Sequence, residues 1–335
     1  MALDIETTNF PNGISSYGAL TFGVGGILPF GGKYFWVDET NGSDGNSGAA
    51  NRPFATIDAA YAQMRDGYND VCFFSGSVHL GATLAWSKSK THLVGLCAPT
   101  KRGKRARLSP ATTLAGTAGF NKLVEVSGQG CMFANFQAFY GFSNTAAALI
   151  AWSEIGGRNS YDNVEFLGFG DGTAGTGTAN LTGARALKIA ADEGEVTFRN
   201  CVFGVDTTTR NVTNYTVEIA PDTVSGVGTP RIYFENCDFE AYLGASGDAS
   251  SHLLVGAGGI DRYVKFINTR FGNEVSAGAT VMAQVFNVVL AAGGAVRLYD
   301  SAFYGATAWQ TAPTANVQMN MTAPSANGGK AITVA

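Results

Sequence analysis

Apolar and polar positions alternate through the second half of this chain in a phrase that recurs six times: apolar, any, aromatic, any, Asn, any, any, Phe. The copies centre on Asn135, Asn163, Asn200, Asn236, Asn268 and Asp300, at spacings of 28, 37, 36, 32 and 32 residues. Two positions before each centre stand Phe133, Tyr161, Phe198, Phe234, Phe266 and Leu298. Three positions after stand Phe166, Phe203, Phe239, Phe271 and Phe303; the first copy is offset there, with Ala138 followed by Phe139. A period of 20–50 residues marks a solenoid, propeller or array, whose units bury their apolar faces only by stacking.

Before each centre the alternation has the strand period of two, as in Val196-Thr197-Phe198-Arg199. After it the alternation resumes one residue out of phase, so that Cys201 and Phe203 face inward, as do Cys237 and Phe239 with Asp238 outward. The residue at the slip is usually Asn, which tolerates the left-handed conformation better than other non-Gly residues. One left-handed residue makes a sharp bend between two short strands, and Asn side chains repeated there can ladder from coil to coil. A second apolar ladder precedes each phrase at Val124–Val126, Leu187–Ile189, Val217–Ile219 and Leu253–Val255. Val317–Met319 and Ile332–Val334 would continue it. The pattern predicts an all-β, single-stranded, right-handed parallel β-helix of about ten coils. The four antiparallel strands of a propeller blade and the helical segments of a leucine-rich repeat are not in evidence. Phe198, Phe203, Phe234, Phe239, Phe266 and Phe271 should be buried, and Arg199, Glu235, Asp238 and Arg270 exposed.

The first half opens differently. Tyr34-Phe35-Trp36-Val37-Asp38 reads as a strand, Asn41–Gly48 as a turn-rich loop, and Arg52-Pro53-Phe54-Ala55-Thr56-Ile57 follows. Ile57, Ala60, Tyr61 and Met64 fall on one face of a short helix that would cover the open first coil. Residues 34–64 resemble the entry to right-handed β-helices of the pectate-lyase-like superfamily, and with the ladders the resemblance spans about residues 33–335. It implies fold more than function, because the superfamily includes lyases, hydrolases, adhesins and bacteriophage virion proteins. Residues 1–32 are rich in Gly, Asn, Ser and Thr with isolated Phe10, Ile14, Tyr17, Phe22 and Phe30, and look like the N-terminal arm of tailed-phage surface proteins. The expected domains are an extended attachment arm (1–32), an entry strand, loop and capping helix (33–70), and the β-helix (71–335).

Composition narrows this modestly. The chain has 335 residues, 44 of them Gly, with 14% charged residues and a net charge of −4, which gives no global case for nucleic-acid binding. No stretch reaches the 18 apolar residues of a membrane span. The first Lys or Arg is Lys33, so no charged secretory leader is expected. The five cysteines include Cys201 and Cys237 at equivalent places and read as buried free thiols. No zinc or cofactor site is expected from His79, His92 and His252. Asp44 with Asp38 and Glu39 lacks the order of a calcium loop and reads as a turn.

Glu165, Asp238 and Glu240 lie in register on one face, with Asp162 and Glu235 on another. A glycosidase needs two carboxylates across a groove; these acids read instead as solvated strand faces, and no catalytic residue is assigned. The one charge run, Lys101, Arg102, Lys104, Arg105 and Arg107, offers a patch for an acidic partner or forms a solvated loop. These observations lead to an expected homotrimeric bacteriophage virion protein, made in the host cytoplasm and carried on the virion surface. It would be a capsid decoration protein attached through Phe10, Ile14, Tyr17, Phe22 and Phe30 to capsid or tail proteins. The alternative is a tail spike or fibre that binds, or as a hydrolase or lyase cuts, host-surface glycan.

Overall fold

A computed structural model describes residues 32–111, 121–139, 150–168, 182–244, 249–274, 280–289, 292–311 and 317–319, with the backbone of 21–22 and 26–27. The chain coils through three parallel sheets. One coil shows the path: Ile150–Glu154 lies in sheet 1, Asn159–Asp162 in sheet 2 and Glu165–Leu167 in sheet 3, before Arg185–Ile189 re-enters sheet 1. Among the described residues the sheets hold seven, ten and eight strands, and every pairing within them is parallel. The architecture is the expected parallel β-solenoid. The expected ten coils overcount it: the solenoid makes about 6 turns, because sheet 2 alone holds ten strands while sheets 1 and 3 begin later and end earlier.

The phrase works as its phase slip requires. Asn135, Asn163, Asn200, Asn236, Asn268 and Asp300 all have positive φ, from 47° to 59°, at the corner between sheets 2 and 3. The corner amides also bond between coils, as when Asn163 N donates to Arg199 O at 2.9 Å and Asn236 N to Ile267 O at 2.9 Å. The side chains ladder in segments: Asn163 Nδ2 donates to Asn135 Oδ1 at 3.0 Å, and Asn268 Nδ2 to Asn236 Oδ1 at 2.8 Å. Between them Asn200 Nδ2 turns to Asp162 Oδ1 at 3.0 Å. Glycine serves the corner between sheets 1 and 2: at Gly157 φ is 73°, and a Cβ there would stand 1.9 Å from Glu193 O.

Because every coil turns alike, equivalent side chains stack. Phe133, Tyr161, Phe198, Phe234 and Phe266 form one column, with successive ring centroids 4.7–5.0 Å apart and planes within 12°. Phe166, Phe203, Phe239 and Phe271 form a second, with centroids 4.8–5.1 Å apart. The separations equal the spacing of adjacent strands, and each such pair adds about 0.5–1.5 kcal/mol beyond its burial. The six phenylalanines named from the sequence are all fully buried. Cys201 and Cys237 are buried and free, as expected.

The entry also follows its pattern. Tyr34–Asp38 opens sheet 2, and the helix Ile57–Gln63 places Ile57 and Ala60 in the core. Thr56 caps the helix by accepting from Ala59 N. Asp44 organises the loop: it accepts from the backbone N of Ala55 at 3.0 Å and of Thr56 at 2.9 Å, and from Thr56 Oγ1 at 2.9 Å.

Three expectations need correction. Val317–Met319 pairs with Gly293–Tyr299 and so extends sheet 2, not the ladder of Val124–Val126. Asp238 is 4% exposed because two cations close over it. Arg199 and Glu235 are half-buried and pair across one coil step at 2.6 Å, leaving Arg270 as the exposed member of the four.

Two substitutions test this account in a denaturant titration. Phe234→Ala should cost about 3–5 kcal/mol, since the column cannot close over a missing ring. Asn236→Ala should cost about 1–2 kcal/mol for the left-handed corner, whereas Asn236→Gly should cost less.

Candidate functional surface

The basic run lies in an insertion between the strand Thr91–Gly95 of sheet 2 and Arg107–Pro110 of sheet 3, where later coils turn on a single Asn. Asn135 Nδ2 pins the start of the insertion by donating to the carbonyls of Gly95 and Cys97, both at 2.9 Å. From there the loop runs along the outside of sheet 3. From Arg107 to Asp238 is four strand steps, about 19 Å at the inter-strand spacing.

The loop lands on the acids that the sequence placed in register. Glu165 accepts from Gly103 N at 2.8 Å, Lys104 N at 3.2 Å and Gln137 Nε2 at 2.9 Å. Lys101 reaches Asp238 at 2.7 Å, and Arg102 binds both Asp206, at 2.7 Å, and Glu240. Burial pushes the Asp238 carboxyl up, but Arg270 and Lys101 outweigh it and hold the group below its ordinary range. Lys104 is itself buried and donates to Lys101 O at 2.8 Å. Arg107 packs over the Phe139 ring at 5.0 Å, and Arg105 is exposed. The acidic partner expected for Lys101 and Arg102 is therefore met inside the chain. Glu165, Asp238 and Glu240 are covered, not the solvated face the sequence suggested. Their separation from the run, up to 138 residues between Arg102 and Glu240 (240 − 102), hid the pairing from any local reading.

Among the described residues sheet 1 presents two carboxylates in one outward row, Glu125 paired with Lys122 and, three strands on, Glu218. Glu218 sits 2.8 Å from Arg185 and 3.0 Å from Lys188. Burial raises its pKa, yet the two cations prevail and lower it. Its neighbours along that outer row are Lys188 and Leu254, so no second acid stands beside it.

Sheet 2 carries an open groove of about 460 Å³ lined by Arg158, Ser160, Glu195, Thr197, Arg199 and Arg231, among others. Arg158 pairs with Glu193 at 2.9 Å and Arg199 with Glu235. Arg231 has no ion-pair partner among the described residues. Beyond the groove along the same face, the Tyr233 and Tyr263 hydroxyls meet at 2.7 Å. Lys265 lies 4.7 Å from the Tyr263 ring and 5.4 Å from that of Tyr233, and Arg297 lies 5.3 Å from the Tyr263 ring. The bond to Tyr233, with Lys265 and Arg231 nearby, lowers the Tyr263 pKa from its ordinary value. Sequence reasoning passed over these residues. They fill outward positions of the sheet 2 strands, within the phrase for Tyr233, Lys265 and Arg297 and just before it for Arg231 and Tyr263, which the periodicity leaves unconstrained.

One titratable group sits inside the solenoid. Glu154 shares an inward column with Val126 and Ile189. Its carboxylate accepts from Tyr161 Oη, from Asn159 Nδ2 at 3.0 Å, and from the backbone N of Gly156 and Gly157 at 3.0 and 2.7 Å. Trp152 Nε1 donates to Tyr161 Oη at 3.0 Å. Burial drives the Glu154 pKa up to about 7 against these donors. Aligning Val126, Glu154 and Ile189 by sequence would have exposed it as a charge in a core column.

Of the arm residues, Phe10, Ile14, Tyr17 and Phe30 lie outside the described residues. Phe22 belongs to a two-residue antiparallel pairing, Thr21–Phe22 with Gly26–Ile27, described at the backbone. Among the described residues no group of three or more His, Cys, Asp or Glu could hold a metal ion, and no helix is long and apolar enough to cross a membrane.

No family model matches the chain, and neither does any curated protein. Solved structures do. A rhamnogalacturonan lyase superposes with a TM-score of 0.54 at 15% identity, over 82% of this chain and 68% of that one. A pectin methylesterase solved with a hexasaccharide gives 0.52 at 14% identity, over 82% of this chain and 80% of that one. A pectin methylesterase from Erwinia chrysanthemi gives 0.49 at 16%, over 81% and 80%. The body is thus a parallel β-helix resembling those of polysaccharide-acting enzymes.

Two measurements probe these clusters. The folded Glu154 keeps its proton up to about pH 7, whereas an unfolded glutamate loses it near 4.5. Below 4.5 both states hold the proton; above it the unfolded chain alone gives it up. Stability should therefore fall by up to about 3 kcal/mol as pH rises from 4.5 to 7. Urea midpoints across that window should show the slope, and Glu154→Gln should flatten it. Replacing both Lys101 and Arg102 by Ala should cost about 1–3 kcal/mol, because the acids they leave are covered while the cations are half-exposed.

Proposed function

We propose that this chain is a polysaccharide-recognition protein whose β-helix binds an acidic host-surface glycan along the outer face of sheet 2 without cutting it. The observation that carries this reading is the open groove where Arg231 has no ion-pair partner among the described residues, continued by Lys265, Arg297 and the Tyr233–Tyr263 pair. The chain as a whole is acidic, at −4, so a strip in which Arg231, Lys265 and Arg297 have no carboxylate partner among the described residues is a local departure from its overall charge. Guanidinium groups take carboxylates and sulfates in paired hydrogen bonds. Ser160, Thr197 and the phenols suit sugar hydroxyls. The Tyr233 and Tyr263 rings already carry cations, which disfavours stacking of a nucleobase on them.

The placement of the acids supports binding without cleavage. A glycosidase sets two carboxylates about 5–9.5 Å apart. Among the described residues Glu195 is the one carboxylate that lines the groove, and the acids of sheet 3 lie under the basic loop. Display on a virion as a homotrimer, in the manner of a phage receptor-binding or decoration protein, belongs to this proposal. It is supported by the resemblance and by the arm sequence.

Acidic and neutral polysaccharides immobilised side by side provide the test. The protein should hold the acidic chains, release them as salt rises, and liberate no reducing ends or unsaturated sugars. Replacing Arg231 and Lys265 together by Ala should weaken retention at least tenfold, equivalent to about 1.4 kcal/mol. Equal retention of neutral glycan would overturn the reading, and product release would establish the enzyme instead. Labelling on purified virions would decide location, and light scattering the trimer.

A further inference from the structure

Sheet 2 has a second apolar cluster on the side away from the core. Tyr34, Trp36, Val71, Phe73, Val94 and Ala134 make it up, with Met132 at its border. Their neighbours along the chain, Phe35, Cys72, Phe74 and Phe133, point the other way, into the solenoid. Outward residues on a one-layer sheet should be wet. Yet Val71 is 0% exposed, Val94 1%, and Phe73 and Ala134 4% each. Among the described residues, every apolar group packed on the cluster belongs to the sheet itself.

His92 sits in the same outward column, paired in register with Val71, and is 4% exposed. Its Nδ1 accepts from Met132 N at 3.0 Å. Burial lowers its pKa to about 4, which keeps the ring neutral. With Nδ1 accepting, the proton of the neutral ring is on Nε2. That Nε2 has no hydrogen-bond partner among the described residues. The site therefore wants an acceptor as well as apolar cover.

We propose that this patch is the seat of the chain's own residues 1–31. The chain leaves the body at the patch. Gly32 passes so close to Asn69 that a Cβ would stand 1.9 Å from the Asn69 carbonyl oxygen. Lys33 N is held by Asp70 Oδ1 at 2.6 Å, Asp70 is bound in turn by Arg65, and Lys33 O accepts from Val71 N at 2.8 Å. The exit is thereby fixed beside Tyr34 and Val71. The patch spans four strands, about 15 Å, and residues 1–31 could reach about 100 Å if extended. They carry Phe10, Ile14, Tyr17, Phe22 and Phe30 singly among turn formers, which suits shallow contacts over a sheet face. A main-chain carbonyl of this segment would accept from His92 Nε2. The arm is then first a cover for its own body, and a partner meets body and arm together.

The test places a photoreactive benzoyl-phenylalanine at Trp36 in the full chain and irradiates a mixture of light and nitrogen-15-labelled protein. Adducts joining position 36 to residues 1–31 of the same isotope are expected. Adducts between isotopes would overturn the proposal in favour of a partner copy, and adducts confined to residues 33–335 would assign the cover to another segment. In parallel, deleting residues 1–31 should raise the fluorescence of an apolar-surface dye several-fold. Unchanged fluorescence in a truncated chain that keeps its β circular dichroism would also overturn it. Neither result depends on glycan binding.

Discussion

From Asn135 to Asp300 the corner between sheets 2 and 3 turns each coil with a single residue at φ near +50°, and the rest of the molecule depends on that economy. A one-residue turn leaves no slack, so consecutive coils must superpose strand on strand. Superposition brings equivalent rings to 4.7–5.1 Å, where each Phe packs on the Phe before it. The same constraint runs outward. Any side chain at an outward position faces its counterpart one coil away, and charges, amides and rings form rows whether or not they serve a purpose.

Those rows explain why the outer faces differ so much. Along sheet 3, Glu165 and Asp238 stand two strands apart in one row and Glu240 in the row beside it, a concentration of negative charge that would repel itself if left open. The 101–107 insertion answers it with Lys101, Arg102 and two backbone amides, converting a repulsive face into a covered one. Along sheet 1, Glu218 is matched within the row by Arg185 and Lys188. Along sheet 2 the row changes character with position: apolar and covered near Trp36 and Phe73, cationic and open near Arg231 and Lys265. One fold thus offers three surfaces of different chemistry, and its likeness to polysaccharide-acting β-helices speaks to the frame alone.

Glu154 shows the cost of an exception within a repeat. It occupies a core column where its neighbours are Val126 and Ile189. The column keeps it by recruiting Tyr161, which would otherwise be one more stacked ring, together with Asn159 and two backbone amides. The aromatic stack survives, since Tyr161 still lies 4.7 Å from Phe198. The network ties sheet 1 to sheet 2 across the core, at the price of a group that ionises near neutral pH.

The sequence by itself determined the solenoid, the corner residues, the two aromatic columns and the entry cap, because each is a local pattern repeated. Period-two alternation with a slip at Asn says which way a side chain points without reference to any distant residue. Tertiary structure alone decided what meets across many residues. The pairing of Lys101 with Asp238, the covering of Glu165, and the meeting of Tyr233 with Tyr263 all depend on how coils stack and where an insertion folds. Asp238 looked exposed because strand parity puts it outside. It is buried because a loop from the start of the solenoid lies across it. Val317–Met319 was assigned to the wrong ladder for a related reason: three residues with strand parity fit any sheet, and the hydrogen bonds of the preceding coil choose which.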